Sequence, residues 1–201
     1  METVVHSGEG FTVSRIILGP LDTNVYLLTD DATRASAIID AAADPDAIIR
    51  LVEGSDPQAV ITTHGHWDHH GAIPELTDAL DIAFLLHHDD VELAGKAPDW
   101  YIEEGEISIS ETSGVVLHTP GHTAGSICLA LDGLVFTGDT LFPGGPGATR
   151  SPDSSFPTII DSIQSKLMTL PDDTVVLPGH GAATTIGSER PQLPEWIERG
   201  W

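Results

Sequence analysis

The chain has 201 residues, of which 40% are hydrophobic and 19% charged, with 20 glycines and 14 prolines. This composition is typical of one globular domain with many turns, and it excludes a fibrous or disordered chain. The formal net charge of −23 at pH 7 argues against binding to nucleic acid or to an anionic membrane surface, because both of these partners are negatively charged.

The N-terminal residues and the cysteine content indicate the compartment. Residues 1–7 have neither the basic start nor the apolar stretch of a signal peptide. No uncharged stretch is long enough to span a bilayer. The single cysteine, Cys128, excludes an intrachain disulfide, and its apolar neighbours predict a buried strand. We therefore expect a cytoplasmic protein.

The first half of the chain alternates between β-rich runs and amphipathic segments. Asp44 precedes a proline at a helix start, so it is predicted to cap that helix. The predicted elements are strands at Phe11–Leu18, Asn24–Thr29 and Ala35–Ile39, a helix at Pro45–Glu53, a strand at Ala59–Thr62, a helix at Gly71–Leu80 and a strand at Ala83–Leu86.

In the second half, glycine and proline separate short apolar runs, as expected of an antiparallel sheet. The predicted elements are strands at Val115–His118, Ser126–Leu131 and Leu134–Phe136, a long helix at Pro157–Leu170 and a strand at Thr174–Leu177. The tail, residues 190–201, is polar and contains prolines, so we expect it to lie on the surface.

Histidine and aspartate residues recur at the ends of the predicted strands. His64, Asp139 and His180 each follow an apolar run, and His122 follows one after a short Thr-Pro-Gly turn. Strand ends hold side chains rigidly at the rim of a sheet, so residues far apart in sequence can meet there.

The segment from His64 to His70, His-Gly-His-Trp-Asp-His-His, carries the strongest signal. Imidazole and carboxylate groups are ligands that suit zinc, iron or manganese. His64, His66, Asp68 and His69 are too many ligands for one tetrahedral ion that also has distant partners, so the segment favours two ions. The alternative is a solvated loop in which Asp68 caps a helix.

Three shorter motifs follow this segment, and each places one ligand-capable side chain beside glycine. They are Thr-Pro-Gly-His-Thr at 119–123, Thr-Gly-Asp-Thr-Leu-Phe at 137–142 and Pro-Gly-His-Gly at 178–181. Glycine lets the backbone approach an ion closely. One such motif carries little information, but together and in this order they are specific.

With these motifs the chain resembles the metallo-β-lactamase superfamily, and within it the short glyoxalase II-like (hydroxyacylglutathione hydrolase-like) hydrolases. The resemblance implies an αββα four-layer sandwich, an α/β fold of two mixed sheets with outer helices, in a single domain spanning residues 1–201. It also implies two ions. By the resemblance the first ion is held by His64, His66 and His122, the second by Asp68, His69 and His180, and Asp139 bridges them.

The strings at 137–142 and 178–189 look more like the glyoxalase II branch than the lactamase branch, where the best-known enzymes carry cysteine at the position of Asp139. Full glyoxalase II continues into a helical domain whose basic side chains hold glutathione. In this chain few residues follow His180, and there are only two lysines, Lys96 and Lys166, that could play such a role. The thiol carrier is therefore left open.

The function predicted from these features is metal-dependent hydrolysis of a small thioester or ester, with a hydroxyacyl thioester as the leading candidate. Asp68 would hold one ion and orient a hydroxide that bridges both ions and attacks the carbonyl. We expect two divalent ions, with zinc first and iron or manganese as alternatives. Arg150 is a candidate for binding a substrate carboxylate, with a surface salt bridge as the alternative.

Other functions remain open at this point. A lactonase would use the same site on a cyclic ester, and a persulfide dioxygenase would use a single iron. Nucleic-acid-cutting relatives share the metal-binding loop, but the net charge disfavours them. A metal-stabilised binding module without catalysis is the remaining class. Metal counts and a substrate panel separate these functions.

Four features have predicted roles outside the ligand set. His70 is expected behind the ligands or at the surface, and His118 is expected to be a hydrogen-bonded core residue. For His87-His88, a solvated turn is favoured over a third metal site. Residues 142–147 are expected to shape a wall of the substrate pocket.

Overall fold

Two large β-sheets form the centre of the structure, a computed structural model that describes residues 2–200. Met1 and Trp201, which belong to the N-terminal segment and the tail considered above, lie outside the described residues. The first sheet consists of β1 (Thr3–Ser7), β2 (Phe11–Leu18), β3 (Thr23–Asp30), β4 (Ala35–Ile39), β5 (Asp56–Ile61), β6 (Ala83–Leu86) and β7 (Trp100–Tyr101), in that order.

The second sheet has six strands. They are β8 (Gly105–Ile109), β9 (Thr112–His118), β10 (Ile127–Leu131), β11 (Leu134–Gly138), β14 (Val175–Pro178) and β15 (Thr184–Thr185). A small separate ribbon joins β12 (Leu141–Phe142) to β13 (Gly145–Pro146). Both sheets are mixed: β4, β5, β6 and β7 run parallel to one another, as do β11 and β14, and the other neighbouring pairs are antiparallel.

Within residues 2–200 the structure contains six α-helices. They are α1 (Pro45–Leu51), α2 (Ile73–Leu80), α3 (Val91–Ala94), α4 (Phe156–Ser165), α5 (Ile186–Glu189) and α6 (Leu193–Arg199). Along the chain, α1 connects the parallel strands β4 and β5, and α2 connects the parallel strands β5 and β6, so both helices are crossover connections. Among residues 2–200, no helix is both long and apolar enough to cross a membrane.

Three apolar clusters divide the structure into four layers. The central cluster joins the facing sides of the sheets, where the rings of Tyr26 and Phe136 meet edge to face at 5.2 Å. A second cluster packs α1 and α2 on the outer side of the first sheet, and a third packs α4 and α6 on the outer side of the second sheet. The predicted αββα sandwich is therefore confirmed.

Most of the predicted elements are present, with some differences in their bounds. Strands β4 and β6 have the predicted bounds, and Asp44 caps α1 by accepting a bond of 3.1 Å from the amide of Ala47. The predicted helix Pro157–Leu170 ends at Ser165 and continues only as a 3₁₀ turn. Two-residue strands such as β7 and β15 were not predicted, because too few residues carry a pattern.

The tail departs from its predicted surface position. Residues 193–199 form α6, and Trp196 is only 1% exposed within the cluster that covers the second sheet. The segment is polar in composition, but the buried side chain of Trp196 anchors it to the outer side of the second sheet.

This anchoring leads to a prediction about stability. Replacing Trp196 by alanine should lower the free energy of unfolding by about 3–5 kcal/mol, because a large buried side chain is lost and a cavity remains. Ile197→Ala is the matched control, since Ile197 lies on the same helix but is 49% exposed. Denaturant unfolding of both variants checks the prediction, and equal effects would contradict it.

Candidate metal centre

The seven predicted ligands meet at one end of the sandwich. His64, His66, Asp68 and His69 lie in the segment after β5, in the first sheet. The second sheet supplies the other three, which follow β9, β11 and β14: His122, Asp139 and His180. The amide of Asn24 at the start of β3 donates to the carbonyl of Gly179 at 2.7 Å, which joins the two sheets at this end.

Three histidines form a first group of side chains that could hold a metal ion, the first ligand group: His64, His66 and His122. Nδ1 of His66 lies 3.0 Å from Nε2 of His64 and 3.0 Å from Nε2 of His122. The planes of the three rings cross at 79–90°. Because the lone pair of an imidazole nitrogen lies in the plane of its ring, crossed rings can direct three lone pairs to one point.

The second ligand group consists of Asp68, His69 and His180. Nε2 of His180 lies 3.2 Å from Nε2 of His69 and 3.2 Å from Oδ2 of Asp68. The two rings cross at 85°. This group therefore repeats the arrangement of the first, with one carboxylate in place of an imidazole.

Asp139 lies between the two groups. Its Oδ2 is 3.6 Å from Nε2 of His122 and 3.7 Å from Nε2 of His180, and its Oδ1 is 3.6 Å from Nε2 of His69. Oδ1 is buried and has no hydrogen-bond partner among the described residues. A buried carboxylate oxygen without a donor is costly, and a cation at this point would compensate for that cost.

The opposite ring nitrogens of three ligands are held by acceptors. Nδ1 of His122 donates to the carbonyl of Ala148 at 2.8 Å, and Nδ1 of His180 donates to the carbonyl of Leu21 at 2.9 Å. Nδ1 of His69 lies 2.8 Å from Oδ2 of Asp40. Since these oxygens accept only, the proton of each neutral ring is on Nδ1 and the lone pair of Nε2 faces the centre.

Asp40 also supports His64, through Thr63. The hydroxyl of Thr63 donates to Oδ2 of Asp40 at 2.9 Å, so it can accept the Nδ1 proton of His64 at 3.1 Å. The amide of Thr63 donates to Oδ1 of Asp40 at 2.8 Å. Asp40 was not among the predicted site residues, although it directly follows the apolar strand β4, as the predicted ligands follow theirs.

The charges at the centre favour a cation. Burial and the neighbouring histidines lower the pKa of His64 well below its ordinary value, so this ring is neutral. Burial also lowers the pKa of His69, but Asp40, Asp139 and Asp68 outweigh it and raise this pKa to about 9. A site that holds a proton this firmly attracts positive charge, so the donor set and its electrostatics fit divalent ions.

Removing the carboxylate of Asp40 tests its supporting role. We expect Asp40→Asn to weaken metal binding by about 10- to 100-fold, the usual effect of losing a partner that orients a ligand. Competition with a chromophoric chelator measures the affinity. Asp46→Asn, at an exposed position on α1, is the control and should leave the affinity unchanged. Equal affinities in the two variants would disprove the role.

Two histidines outside the ligand set, His70 and His118, are hydrogen-bonded to backbone carbonyls. Nε2 of His70 lies 3.1 Å from the carbonyl of Gly65, which places this ring behind the first ligand group, as predicted. Nε2 of His118 donates to the carbonyl of Ala124 at 2.8 Å, but the ring is only half-buried and stacks on His87 at 4.1 Å.

The His87-His88 pair differs from the ligand groups in ring geometry. Glu103 contacts Nε2 of His87 at 3.2 Å and Nδ1 of His88 at 2.7 Å, so three side chains that could bind a metal ion lie together. The two rings are stacked at 30°, however, unlike the crossed rings of the two ligand groups. We interpret the cluster as hydrogen-bonded. The predicted solvated turn fits the exposed His88 but is wrong for His87, which is 2% exposed.

Arg150 is placed beside a cavity of about 490 Å³ that is also lined by Phe142–Ala148, Phe156 and Arg199. Its side chain is exposed. None of the seven predicted ligands lines this cavity. The loop nevertheless reaches the centre, because the carbonyl of Ala148 accepts from His122. The role of Arg150 in substrate binding stays a prediction.

Comparison with protein families gives a match over residues 18–180 to the model described as the metallo-beta-lactamase superfamily. The chain is 34% identical over 202 residues to the probable metallo-hydrolase YqgX of Bacillus subtilis (strain 168), covering 90% of this chain and 95% of that protein. It is 35% identical over 194 residues to the hydroxyacylglutathione hydrolase GloC of Haemophilus influenzae, covering 85% of this chain and 91% of GloC.

Solved structures are also similar to this chain over most of its length. The BLEG-1 B3 metallo-beta-lactamase has a TM-score of 0.83 at 31% identity and covers 92% of this chain and 99% of its own. TTHA1623 in a di-iron-bound form has a TM-score of 0.78 at 34% identity, with coverages of 88% and 96%. ETHE1 from Myxococcus xanthus has a TM-score of 0.81 at 30% identity, with coverages of 92% and 84%.

Proposed function

Because the chain belongs to the metallo-beta-lactamase superfamily, we propose that it is a metal-dependent hydrolase that cleaves a small thioester of the hydroxyacyl-thiol type. The observation that carries this proposal is the pair of ligand groups with Asp139 between them. Sequence similarity to GloC, a hydroxyacylglutathione hydrolase, supports the choice of a thioester.

In the proposed mechanism, the residues of the two ligand groups and Asp139 hold ions, and Asp68 also orients the attacking water. When bound, two divalent ions would acidify a water molecule and polarise a carbonyl group. The first ligand group would hold one ion, the second group the other, and Asp139 both. Asp68 keeps its negative charge: burial raises its pKa, but the neighbouring imidazoles of His180 and His69 lower it to about 2. Its carboxylate can therefore accept a hydrogen bond from the attacking water and orient it.

The choice of a thioester also follows from the protonation of the site. The ring protons of His69, His122 and His180 are engaged with acceptors behind the centre, and Asp68 is ionised. With Nε2 of each ring on an ion, none of these groups would be a ready proton donor for a leaving group. A thiolate leaves with little need for protonation, because thiols are far more acidic than alcohols.

A mononuclear-iron persulfide dioxygenase is the second candidate, and the similarity to ETHE1 fits it. Such an enzyme needs one ion, whereas two groups of side chains in this site could each hold an ion, which supports the hydrolase proposal. The number of ions in each chain therefore separates the two candidates.

Metal analysis combined with a substrate panel tests the proposed function. The protein is loaded separately with zinc, manganese or iron, its metal content is measured, and it is assayed with a hydroxyacyl thioester, a lactone, a β-lactam and a persulfide under oxygen. We expect two ions per chain and preferential hydrolysis of the thioester. A single iron with oxygen consumption would overturn the proposal, as would a fully loaded protein inactive on every thioester.

A further inference from the structure

Asp90 is a buried carboxylate that the catalytic proposal does not use. It lies in a 3₁₀ turn just before α3, and it is 1% exposed. Its Oδ2 accepts from the amide of Gly65 at 2.7 Å and from the hydroxyl of Thr123 at 2.6 Å, and its Oδ1 accepts from the amide of Gly125 at 2.7 Å. Three short hydrogen bonds to one buried carboxylate hold it in a fixed position.

These three donors belong to two different loops. Gly65 separates His64 from His66 in the segment after β5 of the first sheet. Thr123 and Gly125 lie in the turn after His122, between β9 and β10 of the second sheet. Asp90 therefore joins the two loops that carry all three ligands of the first group, and it contacts neither Asp139 nor His180 in the hydrogen bonds of the described residues.

Close packing around Asp90 supports the same conclusion. A Cβ atom at Gly65 would lie 2.9 Å from the backbone oxygen of Asp90, and one at Gly125 would lie 2.7 Å from its Cγ. Both distances are too short for a real side chain. The two loops thus reach Asp90 only because glycine occupies both positions.

We propose that Asp90 is a positioning residue that fixes His64 and His66 against His122, and that it thereby sets the metal affinity of the first ligand group without binding the ion itself. This role rests on the proposed function, because it assumes that the first group holds a metal ion. It acts through the backbone of the two loops, not through the ligand rings.

Asp90→Asn is the direct test. Asparagine has nearly the same shape but presents one oxygen and one NH₂ group, so it cannot accept all three bonds. We expect the zinc affinity of the first group to fall by about tenfold or more, as for other partners that orient ligands, while that of the second group is unchanged. Chelator competition gives the affinities, and the ring-nitrogen NMR signals of the histidines show which group is filled.

Thr123→Val is a milder variant that keeps the shape of the side chain and removes only its hydroxyl. The hydrogen bonds from the backbone amides of Gly65 and Gly125 to Asp90 stay in place. We therefore expect a smaller loss of metal affinity at the first ligand group. A Thr123→Val protein that binds the first ion as tightly as the unaltered protein, together with the same result for Asp90→Asn, would overturn the positioning role.

Asp30→Asn is the matched control. Asp30 is also 1% exposed, and it also accepts three bonds, from the amide and hydroxyl of Thr33 and from the hydroxyl of Thr112. It lies at the far end of β3, whose first residue is near Asp68, so it is roughly 20 Å from the candidate metal centre. Metal affinity should survive in Asp30→Asn even if stability falls. An equal loss in both variants would indicate general destabilisation and overturn the proposal.

Amide hydrogen exchange in the metal-free protein separates this inference from the proposed function. Exchange at Gly65 and Gly125 should be faster in Asp90→Asn than in the unaltered protein, whether or not metal binds. If the unaltered protein fails to bind two ions, the proposed function fails. If it binds two ions but Asp90→Asn neither exchanges faster nor loses affinity, the positioning role alone fails.

Discussion

Replacing Asp139 by alanine should abolish the binding of two ions and thioester hydrolysis together. The carboxylate lies between both ligand groups, at 3.6–3.7 Å from nitrogens of His69, His122 and His180. Its loss removes a carboxylate that contacts histidines of both groups, while Asp68 contacts histidines of the second group. Metal ions contribute several kcal/mol to catalysis, so we expect kcat/KM to fall by about 10³-fold or more. Metal analysis and thioester kinetics on the same sample measure both effects.

Asp132→Ala provides the matched control for this substitution. Asp132 lies near the start of β11, whereas Asp139 follows its end, and Asp132 is exposed in the turn after β10. The control should keep metal and activity. If Asp139→Ala also kept both ions and its turnover, the bridging position would have no function and the proposed mechanism would be wrong.

The layers of the fold could be predicted because apolar runs and turn residues carry local information. The ligand positions were predictable for the same reason: His64, Asp139 and His180 end or follow such runs, and strand ends of facing sheets meet at a common rim. The structure brings these side chains together. Their role as ligands is part of the proposed function.

Other features depend on contacts that no local pattern contains. Asp40 and Asp90 support the centre through hydrogen bonds to Thr63, Gly65 and Thr123, residues 23–33 positions away in the chain. Asp40 could have been predicted by its place at the end of β4. Asp90 has no such signal, because it lies in a turn rich in charged residues. Its function depends on which loops the folded chain places against it.

Asp68→Asn should separate catalysis from metal binding more finely than Asp139→Ala. Oδ2 of Asp68 lies 3.2 Å from Nε2 of His180 and 3.5 Å from Nε2 of His69, so the second ligand group loses a charged ligand. The first group keeps all three of its nitrogens. We therefore expect one tightly bound ion per chain, a weakened second ion and a loss of kcat of about 10²- to 10³-fold, the range for removing one electrostatic group from an active site.

Comparing this variant at low and saturating metal concentration distinguishes the two roles of Asp68. If the residue only held the second ion, excess metal would restore the full turnover of Asp68→Asn. If it also orients the attacking water, turnover stays low with both groups filled, and we expect the second result. Combining Asp68→Asn with Asp139→Ala should cost little more than Asp139→Ala alone, because residues that act as one catalytic unit are not additive. Fully additive losses would show that the two carboxylates act independently, contrary to a shared centre.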